Sequence, residues 1–374
     1  MKVLISMTEP FIVRSLLKEH IRYLVDHGFK VIVMCSQGED IKWITDQGAS
    51  TSIVDIKRKP SLLKDLKCLM QMIFAIYKIK PNIVHYSTPK SSLLTPLAVF
   101  LCPIKVKSIY TVRGRVYENS KGLKRKIYQL IEKFSCWMAD RVIFISKEIK
   151  DSFIVESLLT NKKAKLIGCG SSNGFNTNVF RKPTSEEIKS SKDFFGLDKQ
   201  SKVLIYAGRL AYDKGLEDLL IVFKEISSID KAINLLVIGK AEVNLNSLLH
   251  KYDIDQERLV VKEWSSEIHK AYWAADVTVF PSFREGFGNV CVESILCGVP
   301  VVCYDVIGCR ESVNDGISGY LVPFRDTNLM SHKVLSLLNN TELRKTIVNT
   351  GSSWAKSNFN QEFIWNEIVK IYKE

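Results

Sequence analysis

Glu285 and Glu293 stand eight positions apart in FPSFREGFGNVCVESILCGVPVV, residues 280–302, a stretch otherwise rich in apolar side chains. Val290, Val292, Ile295 and Leu296 flank Glu293, and a carboxylate among such neighbours is costly unless it is hydrogen-bonded. The hydroxyls of a ribose would satisfy it; pairing to backbone inside a core is the competing reading. Gly286 and Gly288 let the backbone approach a ligand closely. Free amides at a helix start, with the helix dipole, favour an anion such as a diphosphate. Glu285, on the turn itself, would then face the hydroxyls of whatever follows the diphosphate.

A second constellation lies upstream. YAGRLAYDKG, residues 206–215, places Arg209 and Lys214 five positions apart in a turn that begins at Gly208 and leads into a helix. Two cations at the carboxyl end of a strand can neutralise a departing diphosphate, the main electrostatic demand in breaking a sugar–phosphate bond. Ordinary surface lysines at a helix start would look similar in isolation.

Both constellations need strands to position them. In the first half KVLISM, FKVIVMCS, ASTSIVDI, NIVHYS, VKSIYTV, DRVIFIS and KAKLIG read as short Val- and Ile-rich strands. Amphipathic helical periods cover residues 11–26, 61–79, 90–101, 122–138 and 147–158. CGSSNGFNTNVFRKPTSEE, residues 169–187, interrupts the alternation as a linker. KVLIYAG, INLLVIG, RLVVKEW, VTVFPS and VPVVCYD then restart it. This is an α/β chain of two doubly wound parallel-sheet domains, residues 1–180 and 190–355, with ligands expected at strand carboxyl ends and in a central cleft. The final helix, 360–374, is expected to return to the first domain. The loop after the first strand, SMTEP, carries no glycine, so the fingerprint of a dinucleotide-binding oxidoreductase is absent.

The net charge of +13 is uneven. Residues 1–190 hold 32 Lys and Arg against 16 Asp and Glu, so the whole excess lies there. Residues 56–126 alone hold 16 basic and 2 acidic side chains, including KRK at 57–59 and KGLKRK at 121–126. Such a surface attracts an anionic partner or is simply a solvated face. No aromatic platform or helix-turn-helix accompanies it, which argues against nucleic acid. The N-terminus lacks the longer apolar region of a secretory signal, and the uncharged run at residues 91–104 is too short and too rich in proline to span a membrane. The nine cysteines stand singly in apolar runs, as in a cytoplasmic protein. Cys291, Cys297, Cys303 and Cys309 recur every six residues, but on a helix, its end, a strand and a loop, without the C-x(2–4)-C knuckle of zinc sites, so the spacing reads as coincidence. His20, His27, His85, His250, His269 and His332 show no metal spacing and read as structural, with His85, at a strand end, the one worth testing. The one D-x-D, Asp253-Ile254-Asp255, reads as a solvated turn.

AGRLAYDKG, PSFREGFGNVCVESILCGVPVV and GCRESVNDGISGYLVP together resemble glycosyltransferase family 4, retaining enzymes of the GT-B fold. KPNIVHYSTPKSSLL, IYTVRG, GLKRKIYQLIEKFSCWMADRVIFIS and GSSNGFN are similar to its CapM-like subgroup, which builds capsule, O-antigen, lipopolysaccharide and other lipid-linked glycans. The resemblance implies a nucleotide-diphosphate sugar, with UDP favoured, bound by the C-terminal domain. Arg209 and Lys214 would hold the diphosphate with the amides of Phe287, Gly288 and Asn289. Glu293 would hold the ribose and Glu285 the donor sugar. The base would lie near Gly239 and Lys240, with Trp264 either lining its pocket or packing. Many relatives carry glycines where SMTEP stands. CapM-like enzymes often read His-Gly where this chain has Arg113-Gly114; an arginine cannot accept a proton at neutral pH, so Arg113 is expected to contact a diphosphate of donor or acceptor.

The chemistry implied is front-face transfer of a hexose or N-acetylhexosamine, with no metal or other cofactor required. The acceptor would be a polyprenyl-diphosphate-linked glycan at the inner face of the plasma membrane. The basic stretches at 57–59 and 121–126 would hold the enzyme on anionic lipid. Leu62, Leu66, Met70 and Ile73 of helix 61–79 could enter the leaflet, with core packing the preferred reading. A nucleotide-sugar 2-epimerase on the same architecture is the alternative; it needs acid/base groups that the sequence does not supply.

Overall fold

The computed structural model describes all residues except 58–60, 116, 119, 172 and 264–266. The chain divides into two compact units, Met1–Asn173 with Glu362–Glu374, and Gly174–Gln361.

Among the described residues the first unit carries β1 (Lys2–Ser6), β2 (Lys30–Cys35), β3 (Ser50–Ile53), β4 (Ile83–Tyr86), β5 (Lys107–Val112), β6 (Arg141–Phe144) and β7 (Ala164–Leu166). They form one parallel sheet in the order β3-β2-β1-β4-β5-β6-β7. Helices cover both faces of such a sheet, so nearly every residue of β1, β4 and β5 is buried, on alternate and intervening positions alike. The helical period over 11–26 resolves into two helices, Pro10–Leu17 and His20–Asp26, parted at Lys18 with φ of 44°.

The second unit carries β8 (Lys202–Ala207), β9 (Ile233–Ile238), β10 (Leu259–Lys262), β11 (Val277–Phe280), β12 (Val301–Tyr304) and β13 (Gly319–Val322). All pair in parallel, in the order β10-β9-β8-β11-β12-β13. β13 has no counterpart in the sequence reading. Its four residues follow a turn and begin at a glycine, a weak strand pattern. The glycine is nevertheless required, because a Cβ at Gly319 would lie 2.0 Å from the Val301 carbonyl oxygen. In both sheets the chain starts in the middle and reverses its winding, between β1 and β4 and between β8 and β11. The carboxyl ends flanking such a reversal are where doubly wound sheets bind ligands.

The helix Gln361–Lys373 lies in the first unit from Glu362 onward. Ile364, Ile368, Val369, Ile371 and Tyr372 join Val3, Ile5 and Val33 in one buried cluster. Trp365 Nε1 donates to Asn173 Oδ1 at 2.9 Å, and Lys107 Nζ donates to the Ile371 carbonyl at 2.6 Å. In the second unit, the two segments at its chain ends run side by side. The Phe175 amide donates to the Phe359 carbonyl and the Gln361 amide to the Phe175 carbonyl, at 2.8 and 3.1 Å. A Cβ at Gly174, whose φ is 68°, would lie 2.4 Å from Gln361 Cα, so only glycine fits there.

The helix Leu62–Ile79 has two apolar faces. Cys68, Leu69, Met72, Ala75 and Ile76 are buried. Leu62, Leu63, Leu66, Met70, Phe74 and Tyr77 are 51–91% exposed, and Ile73 is half-buried. The preferred reading of Leu62, Leu66 and Met70 as core residues is therefore corrected: a helix against a sheet buries one stripe, and their stripe is the other one. The helix Pro89–Leu101 packs against both this helix and Gly122–Met138, and Gly122–Met138 likewise exposes Leu123, Ile127, Leu130 and Trp137 at helical spacing. Exposed Lys64, Lys67, Lys124, Lys126 and Lys133 stand among these side chains. Within KRK, Arg58 and Lys59 lie outside the described residues.

Candidate active site

In the second unit the loops after β8 and β11 meet. Beyond β8 the ladder continues, with the Gly208 amide donating to the Ile238 carbonyl and the Leu210 amide to the Lys240 carbonyl, both at 2.9 Å. This brings Gly208 and Gly239 so close that a Cβ at Gly239 would lie 1.8 Å from the Gly208 carbonyl oxygen. The chain then turns through Tyr212–Lys214 to Gly215, whose φ is 69°. A Cβ at Gly215 would lie 1.9 Å from the Pro281 carbonyl oxygen, in the β11 loop. Glycine thus sets how closely the two loops approach.

That approach joins Lys214 to Glu285. Lys214 Nζ lies 2.7 Å from Glu285 Oε1, and each side chain is only 16% exposed. Ser282 Oγ donates to the same carboxylate oxygen at 2.8 Å. Burial pushes the Glu285 carboxyl above its ordinary range, against the pull of Lys214. Sequence reasoning gave these two residues separate roles and did not foresee the pair. Arg209 is about half exposed and held by Glu242 and, at 3.4 Å, by Asp213. Such exposed pairs contribute about 0–1 kcal/mol, so an incoming anion can readily displace the carboxylates.

The glycine-rich turn departs from the expected cradle. Gly288 donates its amide to the Gly308 carbonyl at 3.0 Å, and Asn289 donates its amide to the Phe287 carbonyl at 2.9 Å. These two amides are thus engaged within the chain, because the turn packs on the loop after β12. A Cβ at Gly288 would lie 2.3 Å from Ser312 Oγ, and one at Gly308 would lie 2.7 Å from the Glu285 carbonyl oxygen. Gly288 is needed for this protein–protein approach, whatever it does for a ligand. Phe287 is buried edge-on against Phe359, with ring centroids 5.5 Å apart, while Gly286 is half-buried and Asn289 exposed.

Glu293, on the helix Asn289–Leu296, is 5% exposed and accepts a hydrogen bond from Tyr272 Oη at 3.3 Å. Tyr272, on the helix Ile268–Trp273, escaped the sequence reading because nothing local marks it as a partner of Glu293. The Lys240 side chain is exposed; Trp264 lies outside the described residues. Asp253 and Asp255 pair with Lys224 and Arg258 at the surface, as a solvated turn would.

In the first unit Arg113 follows β5 and lines a small cavity with His20, His85, Thr111, Ser171 and Asn173. Burial lowers its guanidinium to about 10, which leaves it charged at neutral pH. His85 is bonded at both ring nitrogens, Nδ1 to Tyr372 Oη at 2.6 Å and Nε2 to Thr111 Oγ1 at 2.7 Å. His20 stacks on Trp365, and its buried Nε2 has no hydrogen-bond partner among the described residues.

Burial lowers both imidazoles from 6.5 to about 3, with Arg113 adding to the effect. The unfolded chain therefore takes up protons below pH 6.5 that the folded one refuses. The stability these neutral histidines contribute is complete above pH 6.5 and is lost as the pH falls toward 3, at up to about 1.4 kcal/mol per pH unit for each. Glu132, raised by burial to about 7, works in the opposite sense between 4.5 and 7. Comparing the wild type with His20→Asn removes that contribution: urea midpoints at pH 7 and pH 5 should fall more for the wild type. Equal slopes would show that His20 is protonated in the fold.

Two family descriptions match the chain, "Glycosyltransferase Family 4" over residues 13–171 and "Glycosyl transferases group 1" over residues 187–354. The capsular polysaccharide biosynthesis glycosyltransferase CapM of Staphylococcus aureus is 32% identical over 359 residues, 96% of this chain and 93% of that protein. The chain belongs to glycosyltransferase family 4. The glycosyltransferase is also 25% identical over 345 residues to the UDP-Gal:alpha-D-GlcNAc-diphosphoundecaprenol alpha-1,3-galactosyltransferase of Escherichia coli, covering 87% of this chain and 86% of that one. Its fold matches Anabaena Alr3699/HepE, solved in complex with UDP and glucose, with a TM-score of 0.84 at 18% identity and complete coverage of both chains. The two Rossmann-like units are those of a GT-B enzyme. Among the described residues no helix of this glycosyltransferase is long and apolar enough to cross a membrane.

Proposed function

We propose that this glycosyltransferase is a retaining enzyme that moves a hexose or N-acetylhexosamine from a nucleotide-diphosphate sugar, with UDP favoured, to a polyprenyl-diphosphate-linked glycan in cell-surface polysaccharide synthesis. The observation that carries the proposal is the Lys214–Glu285 pair at the winding reversal of the second sheet. It sets a fixed cation and a carboxylate side by side, one for a departing diphosphate and one for sugar hydroxyls. The UDP of the HepE complexes and the names of the Staphylococcus and Escherichia relatives support the donor and acceptor classes.

In this reading Lys214 keeps one of its three N–H donors on Glu285 and turns the others to the diphosphate. Arg209 exchanges Glu242 and Asp213 for phosphate oxygens. The Gly288 and Asn289 amides join only if the turn opens from Gly308 and Phe287. Glu293 exchanges the Tyr272 hydroxyl for ribose, while the base lies near Gly239 and Lys240, with Gly208 also lining the donor site. The acceptor hydroxyl attacks the anomeric carbon on the face the diphosphate leaves, and the departing oxygen takes its proton. Arg113, a charge in a cavity, meets a diphosphate of donor or acceptor. Lys214 and Arg209 supply the positive charge at the leaving group, so transfer is expected to need no catalytic metal. The exposed apolar and basic helices Leu62–Ile79 and Gly122–Met138 seat the enzyme on the anionic inner leaflet.

The test is nucleotide release from a panel of UDP-, GDP- and TDP-sugars, with and without a lipid-diphosphate sugar acceptor, repeated with Glu285→Ala. Acceptor-dependent nucleoside diphosphate release that the variant loses is the expected result. Sugar interconversion without release would replace the transferase reading with an epimerase.

A further inference from the structure

The six-residue spacing of Cys291, Cys297, Cys303 and Cys309 reads as coincidence in the sequence, yet the fold brings three of the four together. The sulfurs of Cys291, Cys303 and Cys309 all lie within 4.8 Å of one another. Cys291 is on the helix Asn289–Leu296, Cys303 on β12 and Cys309 on the short helix Cys309–Ser312. All three are fully buried, so the three sulfurs face one another out of water. The Ser312 hydroxyl, also fully buried, lies against Cys291. Cys297 is buried elsewhere, near Arg181 and Trp273.

We infer that Cys291, Cys303 and Cys309 form a binding site for one thiophilic metal ion of the zinc or copper(I) class. At metal–sulfur bonds of about 2.3 Å, three sulfurs on one ion stand about 3.8–4.0 Å apart, a triangle that fits within the observed limit. Three converging sulfur ligands in a closed site select soft ions over magnesium or calcium. On binding, three S–H bonds break, three metal–sulfur bonds form and three protons leave to solvent. With a divalent ion the site then holds a single negative charge in place of three buried thiols.

The ion would touch no substrate. Its place is behind the candidate donor site: the Glu285 amide donates to the Ile307 carbonyl at 3.2 Å and the Gly288 amide to the Gly308 carbonyl at 3.0 Å, immediately before Cys309. An ion there staples β12, the loop after it and the helix that carries Glu293. This inference does not rest on the identity of donor or acceptor, and its test reads metal directly. Because the cluster is closed, the ion must enter during folding.

The experiment uses the full chain with the exposed Cys169 replaced, Cys169→Ser, expressed in zinc-supplemented medium and also refolded with cadmium. The readouts are metal content per chain and thiolate-to-cadmium charge-transfer absorbance. One ion per chain, with a raised thermal midpoint, is expected, unchanged in Cys297→Ala and reduced at least tenfold in Cys303→Ala and Cys309→Ala. These two variants alter different elements, so a folding failure in one leaves the other to decide. Absence of metal in the parent under both loadings, or equal uptake by every variant, would overturn the assignment.

Discussion

Lys214→Ala should lower kcat and kcat/KM together, on the order of 10²–10³-fold, with little change in KM for the donor. The magnitude is that of removing one fixed donor aimed at charge that develops in a transition state, and the parallel fall marks an interaction made there and not in the ground state. Lys214 suits this role because it is held: Glu285 lies 2.7 Å away and the Arg284 carbonyl 3.4 Å away, and the side chain is largely out of water. Breaking a buried pair by removing one partner costs about 3–5 kcal/mol when the remaining charge is stranded. Here burial already raises the Glu285 carboxyl, so the variant can relieve the strain by protonating Glu285. The double variant Lys214→Ala/Glu285→Gln separates the two effects. It should recover thermal stability over the single variant and recover no rate. A loss smaller than about fivefold, or one confined to KM, would remove Lys214 from the leaving-group role.

Changing Leu63, Leu66 and Met70 together to aspartate should abolish binding to anionic vesicles while leaving the thermal midpoint where it was. These side chains are 84%, 59% and 60% exposed in the folded unit, so their loss removes little native packing. Burying one such side chain in lipid is worth about 1.5–3 kcal/mol, and each nearby lysine adds about 1 kcal/mol on an anionic surface. Three aspartates reverse both contributions, and partitioning should fall well beyond tenfold in co-sedimentation with vesicles containing phosphatidylglycerol. Raising the salt should weaken the wild type, because the lysine contribution is screened. Equal binding of wild type and variant, or binding indifferent to lipid charge, would assign these stripes another purpose.

The central strands were legible because parallel strands buried on both faces are nearly continuous apolar runs, as in β1, β2, β8, β11 and β12, whereas β3 (STSI), β7 (AKL) and β10 (LVVK), toward the sheet edges, are half-buried or exposed. β13 was not legible, since its middle residues, Tyr320 and Leu321, are only half-buried at the end of the sheet. Gly215 and Gly288 stand at turns the sequence marks, but the reason each must be glycine lies far off in the chain, the Pro281 carbonyl for one and the Ser312 side chain for the other. The Lys214–Glu285 pair spans 71 positions, and nothing within either motif indicates the other. The helix Leu62–Ile79 is ambiguous in principle: with apolar residues on two faces, the sequence states that both exist and not which one the sheet takes. Convergence of three cysteines across a helix, a strand and a second short helix is likewise a property of the fold, invisible to a search for closely spaced ligands.

The helix Gln361–Lys373 comes after all of the second unit in the chain, yet its apolar face completes the core of the first. Synthesis and assembly must therefore run in different orders. As the polypeptide emerges, Val3, Ile5 and Val33 wait with one flank uncovered while the second unit, continuous in the chain, can fold by itself. The first domain to be made is the last to be finished, and a chaperone that shields exposed apolar surface has its clearest opportunity in that interval.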